Sequence, residues 1–513
     1  MTPTSKFTSS RLLCLAGLAS ASLACAGVLA AAAGSDGQLI AGYPVVGTEN
    51  AKTTMTSKKM ANGLTRVHAR YGPIHVNPGQ NVNALAVGLP GPGISGHITR
   101  FAYNLEYPDG KIPGVDVLHL HHAVWFVDDL QFPGGEEKTV FSVPDGYGWK
   151  VDAKRPWVLN HMIHNLFPTK AAVFLTWDMD IIPDGSPNAK ATRPVTSLFM
   201  DVRDEEAYPV FDVIRGSGRK GAFAYPKQAK NPYPDGHVRN RLVIPVDGVV
   251  VAAAGHIHPG GLFADLDVTR GGRTVNIFRS VAKYTEPAGP VSWDMATTHT
   301  GKDWKIALKK GDALTVSATY ETKRASWYES MGIITVAADP GGRGGIDPFT
   351  GRFDRIGRTT HGALAENQNH GGKRVTFKDP RKLPDGPTLK RDDLVTIKSF
   401  LSSQGDLSQS GTAARPPVVS KGSGLTFVNA DAKDDIFHSI TSCKAPCNRD
   451  TGVAYPLADG PYAFDSGELG CGPEETTAAA NVDRWSTPKS LPVGTYTYFC
   501  RIHPFMRGAF RVK

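Results

Sequence analysis

Thr495-Tyr496-Thr497-Tyr498-Phe499-Cys500-Arg501-Ile502-His503-Pro504-Phe505-Met506 decides the fold of the region around it. Its first residues alternate with the two-residue period of a half-buried strand. The strand then runs into a short loop carrying a thiolate, an imidazole and a thioether. Blue-copper electron-transfer centres use that donor set, a trigonal His2Cys site with a long, weak bond to Met. The second imidazole has to come from an upstream strand, and His438 in Ile436-Phe437-His438-Ser439-Ile440-Thr441 supplies it. His438, Cys500, His503 and Met506 therefore read as copper ligands in a small Greek-key sandwich spanning 394–513.

The rest of the 513 residues carries short apolar runs broken by Gly, Pro and Asp, with 55 glycines and 37 prolines. Long amphipathic helical patterns are scarce, so the expected class is all-β, mostly antiparallel. Lys6 and Arg11 precede an uncharged stretch from Leu12 to Ala33, the layout of a secretory signal over 1–33. That stretch is also long enough to remain as an N-terminal membrane anchor. An exported protein is expected, secreted or anchored according to whether the signal is cleaved. A polar lead over 34–71 comes next. Strand-like segments fill 72–193 and 194–339, and the connection 340–393, rich in Gly, Pro and charge, leads to the terminal module. The first two β regions are expected to be antiparallel sandwiches.

Cysteine usage fits this division. Cys14 and Cys25 lie in the signal, and residues 34–442 contain none. With Cys500 on copper, Cys443, Cys447 and Cys471 allow one disulfide and one unpaired thiol, the pairing left open. The net charge of +9 is spread along the chain. Its densest run, Lys373–Arg391, lacks interleaved stacking aromatics, which argues against nucleic-acid binding.

The 16 histidines are clustered. Val117-Leu118-His119-Leu120-His121-His122-Ala123-Val124-Trp125-Phe126 places three imidazoles in an apolar strand, where burial without partners would be costly. Asn160-His161-Met162-Ile163-His164-Asn165 follows in the same region. In Ala254-Gly255-His256-Ile257-His258-Pro259-Gly260-Gly261, alternation sets His256 and His258 on one strand face, a two-nitrogen chelate for copper or zinc. Met331, in Glu329-Ser330-Met331-Gly332, is the candidate third ligand.

With these motifs in view, residues 72–340 resemble the copper type II, ascorbate-dependent monooxygenases, the family of the peptidylglycine α-hydroxylating and dopamine β-monooxygenases. The resemblance implies two β-sandwich domains with one copper each. It matches His121, His122 and His164 to an electron-transfer copper, and His256, His258 and Met331 to the catalytic copper. His119 is an extra imidazole, and it or His161 could replace one of the first set. Residues 394–513 resemble the amicyanin and plastocyanin cupredoxins, with the short ligand loop closest to amicyanin. The chain departs from the peptide-hydroxylating members where they hold a substrate carboxylate. It has Ala254 and Gly255 before the His-x-His motif and Gly332-Ile333-Ile334-Thr335 after the Met, and an apolar wall cannot pair a carboxylate. The family's disulfides are absent as well.

The expected activity is a copper monooxygenase with three coppers. It would hydroxylate a C–H bond of a small or apolar substrate with O2, fed by an external donor, ascorbate-like or a redox protein. Fusing the electron carrier to the oxygenase raises its effective concentration. The alternative is a copper-binding or electron-transfer protein that never activates O2, and a cell-surface adhesive protein is a further rival that the clustered histidines disfavour. A multicopper oxidase is disfavoured because Phe499 and Arg501, not histidines, flank Cys500.

Overall fold

The computed structural model describes residue 48 and residues 50–513 apart from 115–116, 136–138, 204–209, 285–294, 324–325, 361–377, 391, 435, 446, 448–462, 468, 471–482 and 504. The expected signal segment 1–33 and Cys471 lie outside the described residues. Among the described residues the chain is all-β, with short 3-10 segments and no α-helix. No helix among them is long and apolar enough to cross a membrane.

The first sandwich sets one sheet, ordered Lys52–Lys59, Thr65–Val76, Ala171–Pro183, Gly96–Glu106, Tyr147–Val151 and Arg193–Pro194, beside a four-stranded sheet. The latter runs Asn81–Leu89, Trp157–Asn165, Leu118–Val127, Leu130–Gly134. Aromatic residues fill the space between them. Phe101 stacks on Phe132 at 4.9 Å between ring centroids, and Phe132 stacks on Trp157 at 5.4 Å.

This sandwich begins earlier than the sequence suggests. Lys52–Lys59 pairs antiparallel with the next strand, from Lys52 opposite Gly72 to Lys59 opposite Thr65, so part of the 34–71 lead belongs to the sheet. The strand lies at the sheet edge with most side chains exposed. Lysines and threonines there discourage further pairing, and they hide the alternation that marks a half-buried strand.

The second sandwich pairs a sheet ordered Thr196–Asp201, Gly332–Pro340, Gly248–Ile257, Thr298–His299, Arg358–Thr359 with one ordered Ala222–Tyr225, Ala313–Glu321, Gly261–Arg270, Arg273–Val281. Arg193–Pro194 closes the first sandwich's sheet and Thr196–Asp201 opens the second's. Arg193 pairs with Tyr147 of the first sandwich, and its guanidinium holds Asp339 of the second through contacts of 2.6 and 2.9 Å. The cores are continuous across this boundary, since Val249, Val251, Ala252 and Ala337 join the first sandwich's cluster.

The described parts of the connection over 340–393 pack on the second sandwich and on the terminal module. Thr359 pairs with Thr298, and Arg279 donates to the Arg355 carbonyl at 2.6 Å, so the stretch before 361 lies on the second sandwich. After 377 the chain lies on the terminal module, where Leu389 donates to Val418 and Arg511 to Pro380. Turn-rich sequence here satisfies its backbone by pairing outside itself.

The terminal module stacks two four-stranded sheets, Leu401–Ser402, Leu394–Lys398, Thr426–Asn429, Arg484–Ser486 and Val418–Val419, Arg507–Val512, Gly494–Phe499, Thr441–Cys443. Each contains one parallel pair. Cys443 and Cys447 form the disulfide, and Cys500 is free and buried.

Candidate metal centres

The strand Gly494–Phe499 delivers Cys500 to a loop closed on itself. Cys500 N–H donates to the Met506 carbonyl at 3.1 Å, and Met506 N–H to the His503 carbonyl at 2.9 Å. His438 arrives from the neighbouring segment. Cys500 Sγ lies 3.9 Å from His438 Nδ1 and 3.7 Å from His503 Nδ1, and the two nitrogens are 3.3 Å apart. All three side chains are buried, and Met506 is buried in the same loop. Two nitrogens and a sulfur facing one point suit a soft-to-borderline transition ion, and copper above all.

The surroundings fix that geometry. His438 Nε2 donates to Asp431 at 2.9 Å, which turns Nδ1 toward Cys500 and His503 as the atom that could ligate a metal. Asp431 also accepts the backbone N–H groups of Ser399 and Phe400. Burial alone would depress His438, yet Asp431 and Cys500 hold its proton affinity above the ordinary value. Ser439 and His503 each donate a backbone N–H to the Cys500 sulfur at 3.3 Å. Hydrogen bonds of this kind tune the potential of a blue site.

In the first sandwich, a register shift between Leu120 and His122 makes His121 the extra residue of a β-bulge. Leu118 and Leu120 before it, and Ala123, Trp125 and Val127 after it, all face the core. His119 and His122 are thereby turned to the opposite face, and His121 reaches the second sandwich. Simple alternation would have set His122 apart from His119 and His121. His122 Nε2 donates to the Asn160 side-chain oxygen at 2.7 Å, leaving Nδ1 for a ligand, and Met162 lies opposite it.

In the second sandwich, His258 Nδ1 donates to the Glu329 carbonyl, leaving Nε2 for a ligand. One hydroxyl ties the distant motifs together. Tyr320 accepts the backbone N–H of His258 at 3.0 Å and of Met331 at 2.9 Å, and donates to the Met331 carbonyl at 2.6 Å. Met331 is buried beside this junction. His256 and His258 stand edge to face, 5.0 Å between ring centroids.

The expected grouping of His121, His122 and His164 is not drawn tight. Among the described residues, one group brings three such donor atoms within 4.8 Å of one another, and it is His438, Cys500 and His503. The bulge explains the difference. His164 pairs with His119 on the near side of the bulge, whereas His122 lies beyond it. The His164 ring faces His503 of the terminal module at 5.7 Å, and His121 faces His258 at 4.6 Å. His161 points the other way, toward Tyr71 and the core.

Burial, reinforced by neighbouring imidazoles, pushes His164 and His256 down to about 3, and His121, His258 and His503 well below the usual range. Burial takes His122 to about 4 against the opposing bond to Asn160. These rings are neutral at pH 7, with lone pairs available to a metal.

His161 provides a test of this burial away from the ligands. Both its ring nitrogens are buried without a hydrogen-bond partner, and burial lowers it to about 4. The unfolded chain takes up the proton near pH 6.5, so the native state loses stability as pH falls from there toward 4. The gap corresponds to roughly 3 kcal/mol. His161→Leu is expected to flatten that part of the acid-stability curve, read by calorimetry across pH. An unchanged curve would show that His161 does not stay neutral in the fold.

Several residues of the site were not read from the sequence. Asp431 and Tyr320 act through hydrogen bonds to candidate ligands or their backbones, which no motif records. Arg501 is another. Its guanidinium holds Asp465 at 2.7 Å and the Ser326 carbonyl of the second sandwich at 2.5 Å.

No family model matches the chain, and no curated protein matches it. Among solved structures, a copper-containing nitrite reductase from Thermus scotoductus SA-01 aligns over 90% of this chain and 98% of its own, at 11% identity and a TM-score of 0.16. A vicilin from Corylus avellana (hazelnut) aligns over 58% of this chain and 83% of its own, at 7% identity and a TM-score of 0.13. At these scores the likenesses carry no structural argument, and the reading of the site rests on its own residues.

Proposed function

We propose that this chain is an exported copper oxidoreductase of the monooxygenase type. Its terminal blue site passes electrons to the histidines between the two sandwiches. The observation that carries this reading is the contact of His503 with His164 across the module boundary, both rings buried. An electron leaving the Cys500 site through His503 enters the first sandwich without crossing water.

Copper held by His256, His258 and Met331 would supply a Cu(I) state favoured by the thioether and a position for O2. The overall reaction takes R–H, O2, two electrons and two protons to R–OH and water. The protein's own groups set the rest. Tyr320 holds the His258 and Met331 backbones in register, and Glu329 fixes the His258 tautomer. Ile333 stands opposite His256 and Ile334 opposite Gly255, so the flanking strand offers no cation for a substrate carboxylate. A small apolar substrate suits it, with an ascorbate-like reductant or a redox protein as electron source.

The terminal module is tied down on both sides. Phe505 stacks on Phe167 at 5.4 Å, Phe499 lies in the second sandwich's core cluster, and Arg501 holds Ser326. Electron delivery therefore needs no search by a tethered carrier. His164→Phe is expected to leave the blue colour intact and slow reoxidation of the reduced blue site by O2 by one to two orders of magnitude. Stopped-flow absorbance reads this directly, and reoxidation at the native rate would contradict the route.

A further inference from the structure

A buried carboxylate stands behind one ligand of the terminal site. The Asp431 side chain is 5% exposed, and the His438 ring it meets is fully buried. Asp431 accepts three hydrogen bonds, from His438 Nε2 at 2.9 Å, Ser399 N–H at 2.6 Å and Phe400 N–H at 3.0 Å. A carboxyl group that only accepts is ionised. A negative charge therefore lies one imidazole away from the Nδ1 that faces Cys500.

The chain holds that charge in place at a conformational cost. Ser399 and Phe400 form the turn between Leu394–Lys398 and Leu401–Ser402, where Ile397 pairs with Ser402 and Lys398 with Leu401. Both turn residues have positive φ, 52° and 65°. Two-residue hairpin turns of this kind favour Asn-Gly or Asp-Gly, and a bulky residue in that region is an outlier. The conformation aims two successive N–H groups at one point, a nest for an anion, and Asp431 occupies it. The Phe400 ring packs edge to face on His438 and His503, at 5.5 and 5.0 Å between centroids.

The two imidazoles are thereby unequal. His503 Nε2 is buried with no hydrogen-bond partner among the described residues, whereas His438 Nε2 donates to a carboxylate. Such a bond makes the ring a stronger donor through its other nitrogen, which favours the more highly charged, oxidised ion. The N–H groups of Ser439 and His503 on the Cys500 sulfur act in the opposite direction, by drawing density from the thiolate.

We propose that Asp431 is a positioning residue that sets the redox balance of the terminal site, its charge lowering the reduction potential through His438. The inference rests on the copper reading of the terminal module and does not need the sandwich coppers. Asp431→Asn is the direct variant. With its amide oxygen toward Phe400 and His438, asparagine keeps both of those bonds and loses the one from exposed Ser399.

Redox titration of the blue band in the copper-loaded full chain reads the potential. Asp431→Asn is expected to keep the band and raise the potential by about 59 mV or more, a tenfold shift toward the reduced form at fixed ambient potential. Asp431→Glu, which retains the charge, is expected to stay closer to native. An unmoved or lowered potential in Asp431→Asn would overturn the inference and leave the copper reading standing. Equal shifts in both variants, or loss of the band in Asp431→Asn, would assign the effect to packing and overturn it too. A native chain with no blue band would overturn the copper reading and the inference with it.

Discussion

Cys500→Ser is expected to bleach the blue colour of the copper-loaded protein and to remove one copper of about three per chain. The thiolate is the donor behind the intense absorption, and serine oxygen is too hard a ligand to replace it. Folding should survive, because the loop keeps its backbone bonds between Cys500 and Met506 and between Met506 and His503. The variant loses two N–H···S contacts, from Ser439 and His503, which a serine hydroxyl can still accept in part. With the relay gone, O2 consumption driven by a protein donor should collapse while the sandwich coppers stay in place. A spectrum unchanged by the substitution would remove the blue site from the account.

Met331→Ala is the complementary experiment. Loss of groups that merely support a metal ligand commonly costs about 10–100-fold in activity or affinity, and loss of a ligand itself should cost at least that. O2 uptake in the presence of reductant is expected to fall to background, with the blue absorption and its reduction unaffected. The backbone at residue 331 remains held by Tyr320, so the alanine should sit in the same register. Oxygen uptake that persists would show that reduction of O2 happens elsewhere.

The grouping of His438, Cys500 and His503, which the structure brings within reach of one ion, was the most legible part of the sequence. Cys500, His503 and Met506 declare themselves because their spacing has few other uses, and His438 follows from the need for a second imidazole. The all-β class was legible too, since Gly, Pro and Asp punctuate short apolar runs throughout. Lys52–Lys59 was missed because an edge strand of lysines and threonines carries no alternation. The sandwich histidines were found but grouped differently. A single bulged residue at His121 changes which imidazoles share a face, and alternation read from sequence cannot register an extra residue. Contacts across module boundaries, such as His164 with His503 and Arg501 with Ser326, depend on docking that no local pattern encodes.

Copper counting on the purified, copper-loaded full chain, native and Cys500→Ser side by side, decides how many metal ions the fold holds. About three coppers per chain, falling to about two with loss of colour, is the result this account predicts. A native chain that holds a single copper, lost with Cys500, would reduce the protein to a lone electron carrier on two metal-free sandwiches.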